Sequence, residues 1–147
     1  MSDINSVESV FRLMHALKRR LDHDLEAKQL GVVPMQMRVL KIINSHENCT
    51  ANDVVQFIKR DKAQVTRLIS GLITQGLIRK EPNPDDKRSQ LLVFTEHGLK
   101  VHKLLAQELV ELHDIVAEGL DAQEIKQFQA LSLKMTKNLE SSLMAEK

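Results

Sequence analysis

The sequence predicts a mainly α-helical fold carrying one small β-hairpin, and three observations lead there. Apolar residues recur at spacings of three and four through most of the 147 residues, the period of helices with one buried face. One short run, Leu91-Leu92-Val93-Phe94, has instead the branched and aromatic character of a strand, and it follows the turn chemistry of Asn83-Pro84-Asp85-Asp86. Apolar residues make up 42% of the chain with no Trp, no Tyr and four Phe, so the core must be built from Leu, Ile, Val and Met, as in helical packing. The length suits one compact domain.

In chain order, Val7, Val10, Phe11, Met14, Leu17, Leu21 and Leu25 repeat at helical spacing and predict a long first helix. A second begins near Val33-Pro34, with proline in its first turn. Thr50, with Asp53 three residues on, forms a capping box that opens a short helix through Val54, Val55, Phe57 and Ile58. Lys59 and Arg60 connect it to Asp61, which can cap a further helix from about Lys62, with Gln64 at the reciprocal box position. Val65, Leu68, Ile69, Leu72 and Ile73 form the apolar stripe of that helix, and Gly76 suits its left-handed exit. Leu77 to Glu81 reads as the outgoing strand of a hairpin and Leu91 to Phe94 as the returning one.

Thr95 can cap a long helix through Leu99, His102, Leu105, Leu109, Leu112 and Val116 that stops at Gly119. Asp121 and Glu124 form another capping box, and Ile125, Phe128, Leu131, Met135, Leu139 and Leu143 carry the last helix to the C-terminus. Helix, turn, helix and two-stranded wing in this order form a winged helix-turn-helix. We place it at about residues 33–98 of a single domain, 1–147, with helical regions at about 5–30 and 99–145. A winged module is too small to cover the long flanking helices, which predicts dimerisation through the N- and C-terminal helices of a second copy.

Net charge is only +1, but its distribution is uneven. Of the 21 basic and 20 acidic residues, eight and four fall between Lys59 and Arg88, a local balance of +4 against −3 elsewhere. A basic patch on a winged module is the electrostatic footprint of a double-stranded DNA partner. Lys62, Gln64, Thr66, Arg67 and Ser70 lie off the apolar stripe near the helix start, where a major-groove reader needs its donors and acceptors. Gln64 has a competing use in closing the cap. Lys87 and Arg88 sit near the wing tip, Arg88 suiting a narrow minor groove, with Asp86 close enough to orient its guanidinium by a charge-assisted hydrogen bond. Thr50 and Arg79 are assigned to the DNA backbone.

Asp86-x-Arg88 followed by Thr95-x-x-Gly98 is similar to the wing signature of the MarR family of bacterial transcription regulators. Val65-Thr66-Arg67, with Leu72 and Gly76-Leu77-Ile78 after it, resembles that family's recognition helix and its exit. The resemblance covers nearly the whole chain and is specific in combination. It implies a homodimer on an inverted-repeat, palindromic operator, usually as a repressor, often released by a small ligand or an oxidant.

In such a dimer the spacing of the two recognition helices is the natural switch. Met14, His15, Met37 and Arg38 are candidates to line a cleft beside the second helix, where thioethers, an imidazole and a guanidinium could take a small aromatic or phenolic ligand. His15 reads more readily as a helix-surface or satisfied interface histidine. The single Cys49 permits no intramolecular disulfide, and peroxide-sensing members of the family resemble one another in placing their cysteine in the first long helix, where this chain has none. Six histidines offer no metal-binding spacing: His97 and His102 are five apart, and His102 and His113 lie about 16 Å apart along one face. Neither metal nor cofactor is expected, although a redox- or metal-responsive regulator of the same fold stays the alternative, with a helical protein-binding module behind it.

The chain has no glycine-rich phosphate loop, nucleophile elbow or paired carboxylates, so an enzyme is not expected. Leu91 to Phe94, the longest apolar run, is too short to cross a bilayer, and Met-Ser-Asp-Ile-Asn carries no basic leader, so a cytoplasmic protein without membrane contact is expected.

Overall fold

The computed structural model describes residues 5–146. Met1 to Ile4, on which the reading of the leader rested, and Lys147 lie outside the described residues. Among the described residues six helices and two strands run in the order α1 (Ser6–Ala27), α2 (Pro34–Ser45), α3 (Ala51–Ile58), α4 (Lys62–Thr74), β1 (Ile78–Pro82), β2 (Gln90–Phe94), α5 (Glu96–Val116) and α6 (Ala122–Ala145). The chain divides into two units, Met1–Leu109 and Val110–Lys147, the boundary falling within α5.

In the first unit α2, α3 and α4 pack around Val39, Leu40, Val54, Val65 and Leu72, each at most 1% exposed. Burying side chains of this size contributes about 1.5–3 kcal/mol apiece. Leu25 of α1 and Val101 and Leu105 of α5 join the same cluster. Local chemistry sets the helix boundaries. Thr50 and Asp53 cap α3 reciprocally, and Lys59, in the left-handed region at φ 54°, ends it and turns the chain toward α4. The Asp61 carboxylate accepts from the Gln64 N–H at 3.0 Å to open α4. Gly76, at φ 74°, closes that helix with a paired C-terminal motif in which Gly76 N–H donates to the Ile73 carbonyl and Leu77 N–H to the Leu72 carbonyl.

The hairpin pairs Ile78 with Phe94 and Pro82 with Gln90, one residue later on its first strand than Leu77 to Glu81. A third segment joins it: Thr50 bridges to Leu91, and the Leu92 N–H donates to the Cys49 carbonyl at 2.8 Å. This ties the start of α3 to the wing.

The Thr95-x-x-Gly98 pattern has a physical reason in the structure. The Thr95 hydroxyl accepts from the Gly98 N–H and donates to the Gly76 carbonyl. A Cβ at position 98 would lie 1.8 Å from the Leu77 carbonyl oxygen. Only glycine lets α5 start against the exit of α4. Gln36 makes a second tie, accepting from the Val33 N–H and donating to Gln75, whose own amide donates to the Gly31 carbonyl.

On α1, Leu21 and Leu25 reach the core, whereas Val7, Val10, Phe11, Met14 and Leu17 are exposed. Glu108 of α5, 1% exposed, is paired with Lys28, and Arg20 donates to Asp24 at 2.8 Å. In the second unit Gly119, at φ 79°, ends the turn after α5, and Asp121 with Glu124 forms the capping box of α6. No residue of α6 is buried, and Phe128, Leu131, Leu133, Leu139 and Leu143 are more than half exposed. Among the described residues no helix is long and apolar enough to cross a membrane.

Candidate nucleic-acid interface

The face of α4 opposite its buried stripe presents Lys62, Thr66, Arg67 and Ser70 to solvent, with Gln64 half-buried beside them. The two uses open to Gln64 separate here. Its backbone N–H takes the Asp61 cap, but its side chain does not return to the Asp61 N–H, and it makes no hydrogen bond among the described residues. Its amide is therefore available to a base edge. Thr66 is less free, since its hydroxyl donates to the Lys62 carbonyl at 2.8 Å and keeps only its acceptor capacity.

The wing revises three assignments. Asp86 does not hold the Arg88 guanidinium: its carboxylate accepts from the Arg88 backbone N–H at 2.9 Å. A short acidic side chain in a tight loop reaches its own backbone two residues on before it can reach a long side chain's tip. Asp86 therefore shapes the loop, and the guanidinium of Arg88 and the ammonium of Lys87 have no partner among the described residues. Arg79 is already engaged, with two nitrogens on Glu81 and a third on the Phe94 carbonyl. Residues two apart share one face of a strand, so Glu81 captures it. Thr50 likewise uses its hydroxyl within the α3 cap, accepting from the Asp53 N–H and donating to its carboxylate.

Sequence reasoning missed Lys80 and Asn52. Both line a cleft of about 280 Å³ between the starts of α3 and α4 and the wing, together with Lys62, Thr66, Arg88 and Ser89. The period of two held a clue to Lys80, which stands on the opposite strand face from Arg79 and so escapes Glu81.

The candidate ligand residues are not gathered together. Met37 and Arg38 line a cavity of about 470 Å³ with Leu21, Lys41, His46 and Phe57. Met14 and His15 do not reach it. Leu21 is the residue of α1 that lines it, and Met14 lies seven residues earlier, about 10 Å along the helix. His46 packs on Phe57 with ring centroids 4.0 Å apart. His102 packs on Phe94, and burial lowers its pKa. Cys49 is 2% exposed, and burial, with the Asp53 charge second, pushes its thiol up to about 11. Among the described residues no three His, Cys, Asp or Glu side chains gather as a metal cage.

The family-wide sequence profile of the MarR family matches residues 30–89, from the loop before α2 into the wing. Over this stretch the chain is similar to the MarR family. An uncharacterised HTH-type transcriptional regulator of Bacillus subtilis, YybA, is 28% identical over 136 residues, 91% of each chain. The multiple antibiotic resistance protein MarR of Escherichia coli is 26% identical over 137 residues, 89% of this chain and 93% of that one. A crystal structure of a mutant Escherichia coli MarR complexed with operator DNA superposes with a TM-score of 0.73 at 25% identity, over 92% of this chain and 99% of that one. The chain is a DNA-binding transcriptional regulator with a winged helix-turn-helix.

Proposed function

We propose that this chain is a MarR-family repressor that acts by binding alone, without catalysis, holding an inverted-repeat operator as a homodimer until a small aromatic or phenolic anion releases it. The lobe of about residues 33–98 meets DNA and the flanking helices form the dimer. The observation that carries this reading is the coincidence, on one module, of an open polar face on α4 with unpaired cations on the wing. Lys62, Gln64, Thr66, Arg67 and Ser70 are the major-groove set, Lys87 and Arg88 the minor-groove set, and Asp86 keeps the wing loop in shape. Arg79 reaches a phosphate only by leaving Glu81, and Thr50 serves mainly as the α3 cap. The exposed apolar residues of α1 and α6 supply the dimer surface. A chromosomal operator places the protein in the cytoplasm. For the inducer, Arg38 and Lys41 on an otherwise largely apolar cavity favour a carboxylate or phenolate.

Selection of bound duplexes from a random pool tests the core of this. Enrichment of an inverted repeat whose half-sites lie about one DNA turn apart, roughly 34 Å, is the expected result. Enriched sequences without two-fold symmetry would overturn the dimeric reading. On the selected duplex, benzoate or phenol should weaken binding, and Arg38→Ala should remove that response without changing affinity in its absence. Deleting the gene should raise transcription from promoters that carry the repeat.

A further inference from the structure

We propose that the cleft between the start of α4 and the wing is the seat of one DNA backbone phosphate, held jointly by Lys62, Lys80 and Arg88. This rests on the DNA-binding reading and adds to it a place on the duplex. Three positive side chains line this one cleft of about 280 Å³, and no acidic residue lines it. None of the three side-chain cations has an ion-pair or hydrogen-bond partner among the described residues. Other cations of the chain do: Arg79 has Glu81, Arg20 has Asp24, and Lys28 has Glu108. The carboxylates nearest them in sequence are engaged elsewhere: Asp61 accepts from the Gln64 N–H, Glu81 from Arg79 and Asp86 from the Arg88 backbone N–H, while Asp53, beside Asn52 of the cleft, accepts from the Thr50 N–H and hydroxyl. Like charges gathered around one concavity repel each other until an anion enters.

Volume and position narrow the anion's identity. The cleft is smaller than the roughly 300–1,000 Å³ of organic-ligand pockets. A recognition helix in a major groove and a wing in the adjacent minor groove must straddle the sugar-phosphate strand that separates the two grooves. The cleft between those two elements is where that strand passes. Lys62 and Arg88 are thereby moved from the groove-reading sets to the backbone, Arg88, whose fork suits a phosphate, linking the wing to the same point and leaving Lys87 to the minor groove.

The test uses the full-length protein and the duplex selected above. Lys62→Gln and Lys80→Gln, both exposed side chains, should each weaken binding to selected and random duplexes by the same factor, about tenfold, with base preference unchanged. Single phosphates of the duplex are then replaced, one at a time, by neutral methylphosphonates. One position per half-site should weaken wild-type binding and abolish the further loss caused by either lysine substitution. Lysine effects that map to two different phosphates, or a changed base preference in Lys62→Gln, would overturn the shared seat while leaving DNA binding intact. Failure of the wild-type protein to hold any duplex would remove both readings.

Discussion

In the winged module every large apolar residue of α4 is buried or half-buried, while Lys62, Arg67, Lys80, Lys87 and Arg88 have no carboxylate partner among the described residues. In α1 the balance is inverted. Val7, Val10, Phe11, Met14 and Leu17 are between 40% and 60% exposed, while Arg12 and Arg20 each have an acidic partner on the same helix and Lys28, at its C-terminal cap, pairs with Glu108 of α5. On α6 the apolar residues are as open as on α1. Surplus positive charge suits a polyanion, whereas surplus apolar area suits a surface of its own kind. The two kinds of incompleteness, segregated along one short chain, would let DNA binding and the proposed self-association be disturbed separately.

The largest separation should come from α6. Leu131→Glu combined with Leu139→Glu would place four charges in the proposed symmetric interface, and each leucine removed would withdraw about 1.5–3 kcal/mol of burial. The dimer dissociation constant measured by sedimentation equilibrium should rise at least about 100-fold, with helix content retained. An unchanged constant would place the dimer surface elsewhere. The matching disturbance in the winged module is Gly98→Ala, where the new methyl meets the Leu77 carbonyl. Denaturant unfolding should show a loss of about 3 kcal/mol. Gly76→Ala has room for its Cβ and suffers only its positive φ, so about 1 kcal/mol is expected there. Equal losses at the two glycines would refute the steric account of Thr95-x-x-Gly98.

The same contrast shows what can be read from sequence. Asp61, Thr50, Asp121 and Gly76 mark helix ends because caps are made between residues two to five apart, and the apolar stripes repeat often enough to declare a period. The contact of Cys49 with Leu92 gives no such sign, being a single bridge across more than forty residues. The wing misled for a related reason. Charge alone pairs Asp86 with Arg88, yet backbone geometry decides the bond, and Arg79 looks available to DNA in the sequence although Glu81 stands on its own strand face. Met14 and His15 failed as cavity residues because helical rise, invisible in a list of chemically suitable side chains, carries them away from Leu21.

A smaller effect concerns acid. Hydrogen bonding to Arg20 holds the Asp24 carboxyl below its ordinary range. A depressed folded-state pKa contributes stability that is present above the unfolded value, about 4, and is lost as pH falls through the folded one. Wild type should therefore exceed Asp24→Asn in stability at neutral pH, and the gap should close below about pH 4. A gap that widened in acid would mean that the Arg20 pair is not its source.

Cys49 should give the smallest response of all. With its thiol pushed up to about 11, the thiolate fraction at pH 7 is on the order of one in ten thousand, and the side chain is buried where β2 is tied to the start of α3. Peroxide should leave operator affinity unchanged, and a thiol reagent should label the residue only when the winged module opens. That makes labelling a gauge of the module's own stability: Gly98→Ala should accelerate it roughly 100-fold, in proportion to its loss of about 3 kcal/mol. Rapid labelling of the wild-type protein, or a fall in operator affinity on oxidation, would return Cys49 to consideration as a sensor and would show that the wing opens far more readily than its buried anchor implies.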